Sequence, residues 1–188
     1  TMEVVEKVLV DFNSEIVEKL KKKNCKSEGI NVSYNNVINV EQENKDLGFV
    51  GKPTKIFNQK INEIIDNGAI PVLSPMGKDN SDQKYNINAD TAAAAVAKSL
   101  KSRRLLLMTD VEGVYDENKK LINEIKPNDA KNLIDKKIAQ GGMIPKLLNS
   151  IDAIENGVKG VVIIDGRKLH SILCEIFSDE GAGTLIRK

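Results

Sequence analysis

The chain has 188 residues, 40% of them hydrophobic, which is enough for a globular protein with a packed core. Its 28 basic and 27 acidic residues leave a formal net charge of +1, and no apolar run approaches the roughly 20 residues needed to cross a bilayer. We therefore expect neither nucleic acid nor a membrane as a partner.

The histidine and cysteine content excludes several kinds of catalytic and metal-binding site. His170 is the only histidine, which excludes catalytic triads and histidine-rich metal sites. Cys25 and Cys174 are too few for a disulfide framework or a zinc site. With no secretion signal visible, we expect a cytoplasmic protein with reduced thiols and no metal ligands of its own.

The first third of the chain predicts two helices followed by strands. An apolar stripe at helical spacing predicts the first helix: Met2, Val5, Val8, Leu9 and Phe12. Residues 14–23 predict a second helix. Residues 30–32 and 37–40 read as strands, and Asn35-Asn36 between them favours a hairpin because asparagine tolerates the left-handed turn.

Residues 46–84 predict a strand, a helix, a second strand and a polar loop. Glycines interrupt the strand over 46–51, which indicates a bulge or the close approach of another group. Asn58 is expected to cap the helix and Gly68 to end it. A buried strand over 70–74 then precedes a flexible polar excursion over 77–84.

The stretch from Tyr85 to Asp116, YNINADTAAAAVAKSLKSRRLLLMTDVEGVYD, carries two polar clusters around one helix and one strand. Asn88 can cap the helix, and Asp90 suits the positive end of its dipole. Residues 105–108 form an apolar run typical of a strand buried on both faces. Thr109, Asp110 and Gly113 follow at its carboxyl end, where open α/β sheets bind ligands. The alternative is an ordinary helix cap and an ordinary strand-end turn.

The last third continues the alternation of helices and strands. We expect a helix that begins at Pro127, a second helix over 144–156 and a buried strand over 161–164. The second helix is expected to bury an apolar stripe, Leu147, Leu148, Ile151 and Ile154. A final stripe at helical spacing predicts core residues: Leu169, Ile172, Leu173, Ile176 and Phe177. This alternation predicts an α/β fold with a largely parallel sheet covered on both sides.

Lys146 stands out because it lies in the first turn of its helix, where a cation opposes the dipole. Gly141-Gly142 precedes that helix and can expose backbone amides, and a helix amino end is a natural anion site. A bound phosphate would make the lysine favourable. The alternative is a solvated surface lysine.

Four motifs occur in order between residues 85 and 186: YNINADTAA, LLMTDVEGVYD, GGMIPK and DGRKLHSILCEIFSDEGAGTLI. They closely resemble the N-acetyl-L-glutamate kinase family of the amino acid kinase superfamily, and the resemblance runs over residues 2–186. The resemblance implies a three-layer αβα sandwich of carbamate kinase-like fold. Residues 1–69 would be the remainder of the acetylglutamate lobe, with a β-hairpin, and residues 70–188 the ATP-binding lobe with a carboxyl-terminal effector segment.

The resemblance also implies a reaction, the transfer of the γ-phosphoryl group of ATP, bound with Mg²⁺, to the γ-carboxylate of N-acetyl-L-glutamate in arginine biosynthesis. Lys146 would stabilise the transferred phosphoryl group, and Asp90 would organise the phosphate-binding lysines. Asn86 and Asn88 would hold acetylglutamate. The implied nucleotide-binding residues are Thr109, Asp110, Val111, Gly113, Tyr115, Gly141, Gly142, Met143 and Lys146.

Control by L-arginine is a further implication of the resemblance. The implied effector residues are His170, Glu180, Gly181 and Gly183. For Glu180 the alternative is a solvated acidic turn, and for the two glycines a plain helix-to-strand connection. The family also forms homo-oligomers, and its arginine-sensitive members use an extra amino-terminal helix to join dimers into a hexamer.

The chain departs from the family at two places. Residues 31–36 replace the usual Gly-Lys-Asp-Gly turn. The family's glycine-rich lysine strand, Gly-Gly loop and acceptor-binding arginine have no match here, so we expect a fragment or a segment supplied by another chain, with weak nucleotide binding and negligible turnover alone. The alternatives are a related kinase acting on aspartate, glutamate, carbamate or UMP, and a non-catalytic regulatory chain that binds nucleotide or arginine.

Overall fold

The computed structural model describes residues 2–179 and 181–188 and confirms the α/β class. The chain forms two compact units that divide between Ala95 and Val96. The ligand assignments of the two predicted lobes, 1–69 and 70–188, stay predictions.

The first unit combines helices with a two-stranded and a four-stranded sheet. Its helices are α1 (Met2–Lys22), α2 (Asn58–Asp66) and the beginning of α3 (Ala89–Ser99). Its strands are β1 (Ser27–Ile30), β2 (Ile38–Gln42), β3 (Gly51–Ile56), β4 (Ile70–Leu73), β5 (Met76–Lys78) and β6 (Lys84–Asn86). β1 pairs with β4 in parallel, and the other strands follow the order β3-β2-β5-β6.

Helix α1 is continuous where the sequence predicted two helices. Asn13, at the predicted break, is buried, and its side-chain nitrogen donates to the Val72 carbonyl at 2.8 Å. Its amide group is thus satisfied by tertiary contact, so it does not compete with the helix backbone. Val17 is buried on the same helix, whereas Val8 and Phe12 remain exposed.

The hairpin predicted through Asn35-Asn36 is wrong. β1 pairs with β4, and β2 forms an antiparallel hairpin with β3 instead. Asn35 does adopt the left-handed conformation, at φ 59°. The chain nevertheless leaves β1 at once, because the side-chain oxygen of Asn31 accepts hydrogen bonds from the Ser33 and Tyr34 amides and turns it.

Three further local predictions change in the structure. Residues 45–47 form a 3₁₀ turn capped by Asn44, so the strand begins only at Gly51, where a Cβ would meet Tyr85 Cβ at 2.7 Å. The predicted flexible excursion over 77–84 is the end of β5, a turn over 79–83 and the start of β6, and the two strands pair antiparallel. Helix α2 has Phe57 at its N-cap position, with no side-chain cap bond, and Gly68 follows its end at φ 69°.

The second unit is built on a four-stranded sheet in the order β7-β9-β10-β8. Its strands are β7 (Leu105–Thr109), β8 (Glu124–Ile125), β9 (Val161–Asp165) and β10 (Gly183–Ile186). Its helices, after the end of α3, are α4 (Pro127–Asp135), α5 (Met143–Glu155) and α6 (Ser171–Phe177). β7 pairs with β9 in parallel, β10 pairs with β8 in parallel, and β9 and β10 are antiparallel. The sheet is therefore mixed, with mainly parallel pairing as predicted.

The core of the second unit centres on β9. Every residue of β9 is buried, which confirms the predicted buried strand. β7 is buried on one face only, since Leu105 and Leu107 are buried but Met108 is 47% exposed. Leu147 and Ile154 of α5 are buried as expected, whereas Leu148 is exposed.

The predicted core stripe on α6 is wrong. Leu169 and Phe177 are about 80% exposed, and Ile172, Leu173 and Ile176 are exposed too. Ser171 is buried and Glu175, four residues on, is half-buried, so these two mark the inward side of the helix. Helical spacing predicts which side chains share a face but does not determine which face is covered.

No helix among the described residues is both long and apolar enough to span a bilayer.

Candidate functional site

Asn86 ends β6 in the first unit and is held there by backbone contacts. Its amide donates to the Phe49 carbonyl at 2.9 Å, and it forms a bridge with Val50. Its side chain is half-buried. Strand geometry and these bonds therefore hold the Asn86 backbone at the end of β6.

Lys84, at the start of β6, anchors the strand to α1. Its ammonium nitrogen lies 2.5 Å from Glu6 Oε1, and Ser33 also bonds to that carboxylate. Hydrogen bonds from Lys84, and then from Ser33, lower the pKa of Glu6. Lys84 and Asn86 share one face of β6 because side chains alternate along a strand.

Asn88 caps α3, as predicted. Its side-chain oxygen accepts from the Thr91 amide at 3.2 Å and lies 3.4 Å from the Thr91 hydroxyl. Asp90, half-buried, is in the first turn of the same helix, where a carboxylate is favourable. The Asn88 oxygen therefore already has a structural role.

In the second unit, Thr109 and Asp165 meet at the carboxyl ends of two parallel strands. β7 and β9 pair in register, with Thr109 opposite Asp165, and the Gly166 amide donates to the Thr109 carbonyl at 2.8 Å. The Thr109 hydroxyl donates to Asp110 Oδ1 at 3.2 Å. This edge is the expected ligand-binding edge of the sheet.

Asp165 and Arg167 were not among the residues predicted for this edge. The Arg167 side chain and amide donate to the Asp165 carboxylate, and these hydrogen bonds lower the pKa of Asp165. Residues at the carboxyl ends of neighbouring parallel strands lie close together. The polar residues that follow the buried strand in segment 161–167 could therefore have been predicted at this edge.

The turn after β7 is well ordered by hydrogen bonds. Val111 is half-buried and Gly113 buried, and the Tyr115 hydroxyl donates to Glu112 Oε2 at 3.1 Å. Desolvation, followed by the bond to Glu112, raises the pKa of Tyr115. Thr184 of β10 contacts the base of this turn, since the Val114 amide donates to its hydroxyl at 2.8 Å.

Gly141 and Gly142 form an open turn in front of α5. Gly141 is left-handed at φ 53°, and a Cβ on either glycine would meet no atom within 4 Å. Gly142 is the N-cap residue and makes no side-chain cap bond, and Met143 begins the helix. The Met143 and Ile144 amides donate to Gln140 and Gly141 at 3.1 and 3.2 Å, so the glycine backbone is the accessible part of this turn.

Lys146 lies in the first turn of α5 and is half-buried. A cation here is disfavoured by the helix dipole and favoured by an anion at the helix start. The turn and the lysine together are able to receive a phosphate group.

The structure describes three of the four predicted effector residues: His170, Gly181 and Gly183. Glu180 lies outside the described residues. His170 is exposed and left-handed, at φ 64°. Gly183 lies so close to β9 that a Cβ would be 2.0 Å from the Ile163 carbonyl oxygen, so strand packing explains this glycine without a ligand.

Gly181 and Gly183 each line two cavities of the second unit. The smaller, of about 140 Å³, is also lined by Glu112, Asp165 and Lys168. The larger, of about 860 Å³, is also lined by the paired side chains Arg104–Glu175 and Arg187–Glu124. Both cavities therefore have carboxylate walls.

The candidate residues divide between the two units. Asn86, Asn88 and Asp90 belong to the first, and the predicted nucleotide-binding residues, with Lys146, belong to the second. Within the described residues, no group of three histidine, cysteine, aspartate or glutamate side chains is arranged to hold a metal ion.

Comparisons with known proteins agree with these motifs. The model of the amino acid kinase family matches residues 1–165. The chain is 54% identical, over its whole length, to the acetylglutamate kinase of Pelagibacter ubique (strain HTCC1062) and spans 65% of that protein. It is 43% identical to the acetylglutamate kinase of Rhodopseudomonas palustris (strain BisB18), again over its whole length, and spans 68% of it.

A solved structure gives the same result for the fold. The crystal structure of smu.665 from Streptococcus mutans UA159 matches 99% of this chain, with a TM-score of 0.84 and 31% identity, and the match covers 71% of that chain. The chain therefore belongs to the amino acid kinase family, within its acetylglutamate kinase branch.

Proposed function

We propose that this protein transfers the γ-phosphoryl group of MgATP to the γ-carboxylate of N-acetyl-L-glutamate, giving ADP and an acyl phosphate. The observation that carries the proposal is the open turn Gly141–Gly142 with Lys146 in the helix turn behind it. The similarity to proteins named acetylglutamate kinase supports the choice of acceptor. The role in arginine biosynthesis and the cytoplasmic location belong to the same proposal.

The second unit is proposed to bind the nucleotide. The glycine backbone at 141–142 admits a phosphate without steric hindrance, and Lys146 neutralises its charge. Thr109, Asp110 and the turn over 111–115 would contact the rest of the nucleotide at the carboxyl end of β7. Mg²⁺ enters in this proposal as part of the substrate MgATP.

The first unit is proposed to bind the acceptor. Asn86, whose backbone is held at the end of β6, carries a carboxamide that can both donate to and accept from acetylglutamate. Asp90 would organise the phosphate-binding lysines. Asn88 contributes less in this proposal than expected from the sequence, because its oxygen caps α3.

In-line phosphoryl transfer to a carboxylate needs little covalent chemistry from the protein. Positioning of the two substrates and neutralisation of the phosphoryl charge supply most of the rate enhancement. Lys146 would supply the charge, and Asn86 the position of the acceptor.

A panel of acceptors tests the proposal. The full-length natural gene product is incubated with MgATP and N-acetylglutamate, aspartate, glutamate, carbamate or UMP, and ADP release is measured for each. Hydroxylamine traps an acyl phosphate as a hydroxamate, which identifies a carboxylate acceptor. We expect N-acetylglutamate to be preferred; preference for another acceptor, or ATP binding without turnover, would contradict the proposal.

Inhibition by L-arginine is a separate part of the proposal. The two cavities lined by Gly181 and Gly183 support it, because a carboxylate can pair with a guanidinium. Glu175, Glu124 and Asp165 already pair with arginines of this chain, so Asp179 in the larger cavity and Glu112 in the smaller are the carboxylates proposed to receive the ligand. The family resemblance alone assigns Glu180 to this site. Titration of L-arginine against the wild type and Glu180→Ala tests it, and equal binding by both proteins would remove Glu180 from the site.

Homo-oligomer formation is proposed as well. α1 presents exposed apolar side chains at helical spacing, Val4, Val8 and Phe12, which suit contact with a second copy. Light scattering after size exclusion, comparing the wild type with Val8→Glu, tests this. A monomeric wild type would exclude it.

A further inference from the structure

The Thr184 hydroxyl bridges the two arms of the turn that follows β7. It accepts a hydrogen bond from the Val114 amide at 2.8 Å and donates one to the Ile122 carbonyl at 2.6 Å. Thr184 is fully buried on β10. One side-chain atom thus satisfies a buried amide and a part-buried carbonyl from opposite arms of the turn.

The Thr184 hydroxyl stands between the Val114 amide and the Ile122 carbonyl, which would otherwise bond to each other directly. The Ile122 amide donates to the Val114 carbonyl at 2.9 Å, and Tyr115 and Leu121 form the next antiparallel bridge. A hydrogen-bonded antiparallel pair usually exchanges two such bonds. Here the second connection, from the Val114 amide to the Ile122 carbonyl, runs through the Thr184 hydroxyl.

Gly113, next to Val114, is packed directly against the same residue. A Cβ at Gly113 would lie 2.5 Å from the Thr184 hydroxyl oxygen and 3.1 Å from its amide nitrogen. The Gly113 backbone is therefore packed against the same threonine that closes the turn.

We infer that Thr184 is a positioning residue for nucleotide binding, acting through the turn over 113–122. The inference rests on the proposed function, which assigns Gly113 and Tyr115 of this turn to the nucleotide. The chemistry requires a hydroxyl, because only one that donates and accepts at the same atom joins an amide to a carbonyl.

Replacement of Thr184 by residues of known hydrogen-bonding capacity tests the inference. Thr184→Val keeps the shape but leaves a buried amide and a part-buried carbonyl without their partner, whereas Thr184→Ser keeps the hydroxyl. For the full-length natural gene product we expect Thr184→Val to weaken MgADP binding about tenfold, measured by calorimetry, with Thr184→Ser within about twofold of the wild type.

Two readouts separate positioning from a general loss of stability. A smaller folded fraction lowers apparent kcat without changing KM, so we expect the KM for MgATP to rise in Thr184→Val while the KM for the acceptor stays constant. Hydrogen exchange of the Val114 amide should also become faster than that of the β10 amides. Thr54→Val, at an exposed position of β3, is the matched control.

Each outcome decides the inference. If Thr184→Val does not fold, Thr184→Ala against Thr184→Ser makes the same comparison of hydroxyl loss with hydroxyl retention. Unchanged MgADP affinity in the hydroxyl-free variant, with normal binding by the wild type, overturns the inference alone. No MgADP binding by the wild type overturns the proposed function and the inference with it.

Discussion

Arg167 donates two parallel hydrogen bonds to Asp165, from Nε to Oδ1 and from Nη2 to Oδ2, each 3.0 Å long. The Arg167 amide adds a third bond to Oδ1 at 2.9 Å. Two-point pairing of guanidinium and carboxylate fixes direction as well as distance. Asp165 stands opposite Thr109 at the end of the sheet, so this pair sets the shape of the edge where the nucleotide is proposed to bind.

The pair predicts how stability depends on pH. Arg167 lowers the folded-state pKa of Asp165, so the ionised carboxylate stabilises the fold above the ordinary pKa of about 3.9. That contribution is lost as pH falls through the lowered pKa. We expect Arg167→Met to be less stable than the wild type at pH 7, with the difference shrinking below about pH 4.

Urea unfolding at pH 7 and pH 3 measures this difference. Lys131→Met removes an exposed lysine from α4 and serves as the control, for which little change is expected at either pH. A difference for Arg167→Met that is as large at pH 3 as at pH 7 would show that the ion pair is not its source.

Lys146→Ala tests the proposed phosphoryl contact. Loss of a group that neutralises developing charge lowers kcat by about 10²–10³-fold in comparable sites, whereas the KM for acetylglutamate should change little. Steady-state kinetics of the full-length natural gene product measure both, and Lys131→Ala is the matched control. If only nucleotide affinity changes, Lys146 binds the ground state and the proposed role is wrong.

Asn86 and Asn88 should respond differently to the same substitution. Asn88→Ala removes the cap of α3, so it should lower the free energy of unfolding by about 0.5–2 kcal/mol, and Asn88→Ser should restore it. Asn86→Ala should instead raise the KM for acetylglutamate with little change in kcat. Urea unfolding and steady-state kinetics of the variants make the comparison; a stability loss confined to Asn86→Ala would reverse the two roles.

The sequence predicted those parts of the fold that depend on local pattern. β9 and α5 were found because a continuous apolar run and a helical stripe are local signals. The pairing of β1 was missed because its partner, β4, lies some forty residues along the chain. The exposed face of α6 was missed because periodicity carries no information about what covers a helix.

The candidate site likewise contains residues that a local pattern predicts and residues that it does not. Thr109 and Asp110 were predictable, since polar residues after a buried strand mark the ligand-binding edge. Thr184 was not, because its hydroxyl joins Val114 and Ile122, which are 70 and 62 residues away in sequence. Such contacts depend on the register of β10, which no local signal gives.

Gly183 and Gly142 should tolerate alanine very differently. A Cβ at Gly183 would clash with the backbone of β9, so Gly183→Ala should destabilise the protein by about 1–3 kcal/mol or more. Gly142 has φ −65° and open space around it, so Gly142→Ala should change stability by less than about 0.5 kcal/mol. Urea unfolding measures the free energy of unfolding of the two variants. Equal values would mean that β10 moves away from β9 to admit the methyl group.

The last prediction concerns His170 and depends on the proposed arginine site. His170 is left-handed at φ 64°, a conformation that asparagine adopts more easily than most residues. His170→Asn should therefore keep the backbone and the melting temperature while removing the imidazole. If the imidazole approaches the effector's carboxylate, L-arginine should bind several-fold more weakly, about 1 kcal/mol for one lost hydrogen bond. Calorimetry on the full-length natural gene product measures this. Lys137→Asn, at another left-handed position with φ 58°, is the matched control. Equal arginine affinity in His170→Asn and the wild type would remove His170 from the site, and a wild type that does not bind arginine would remove the effector site itself.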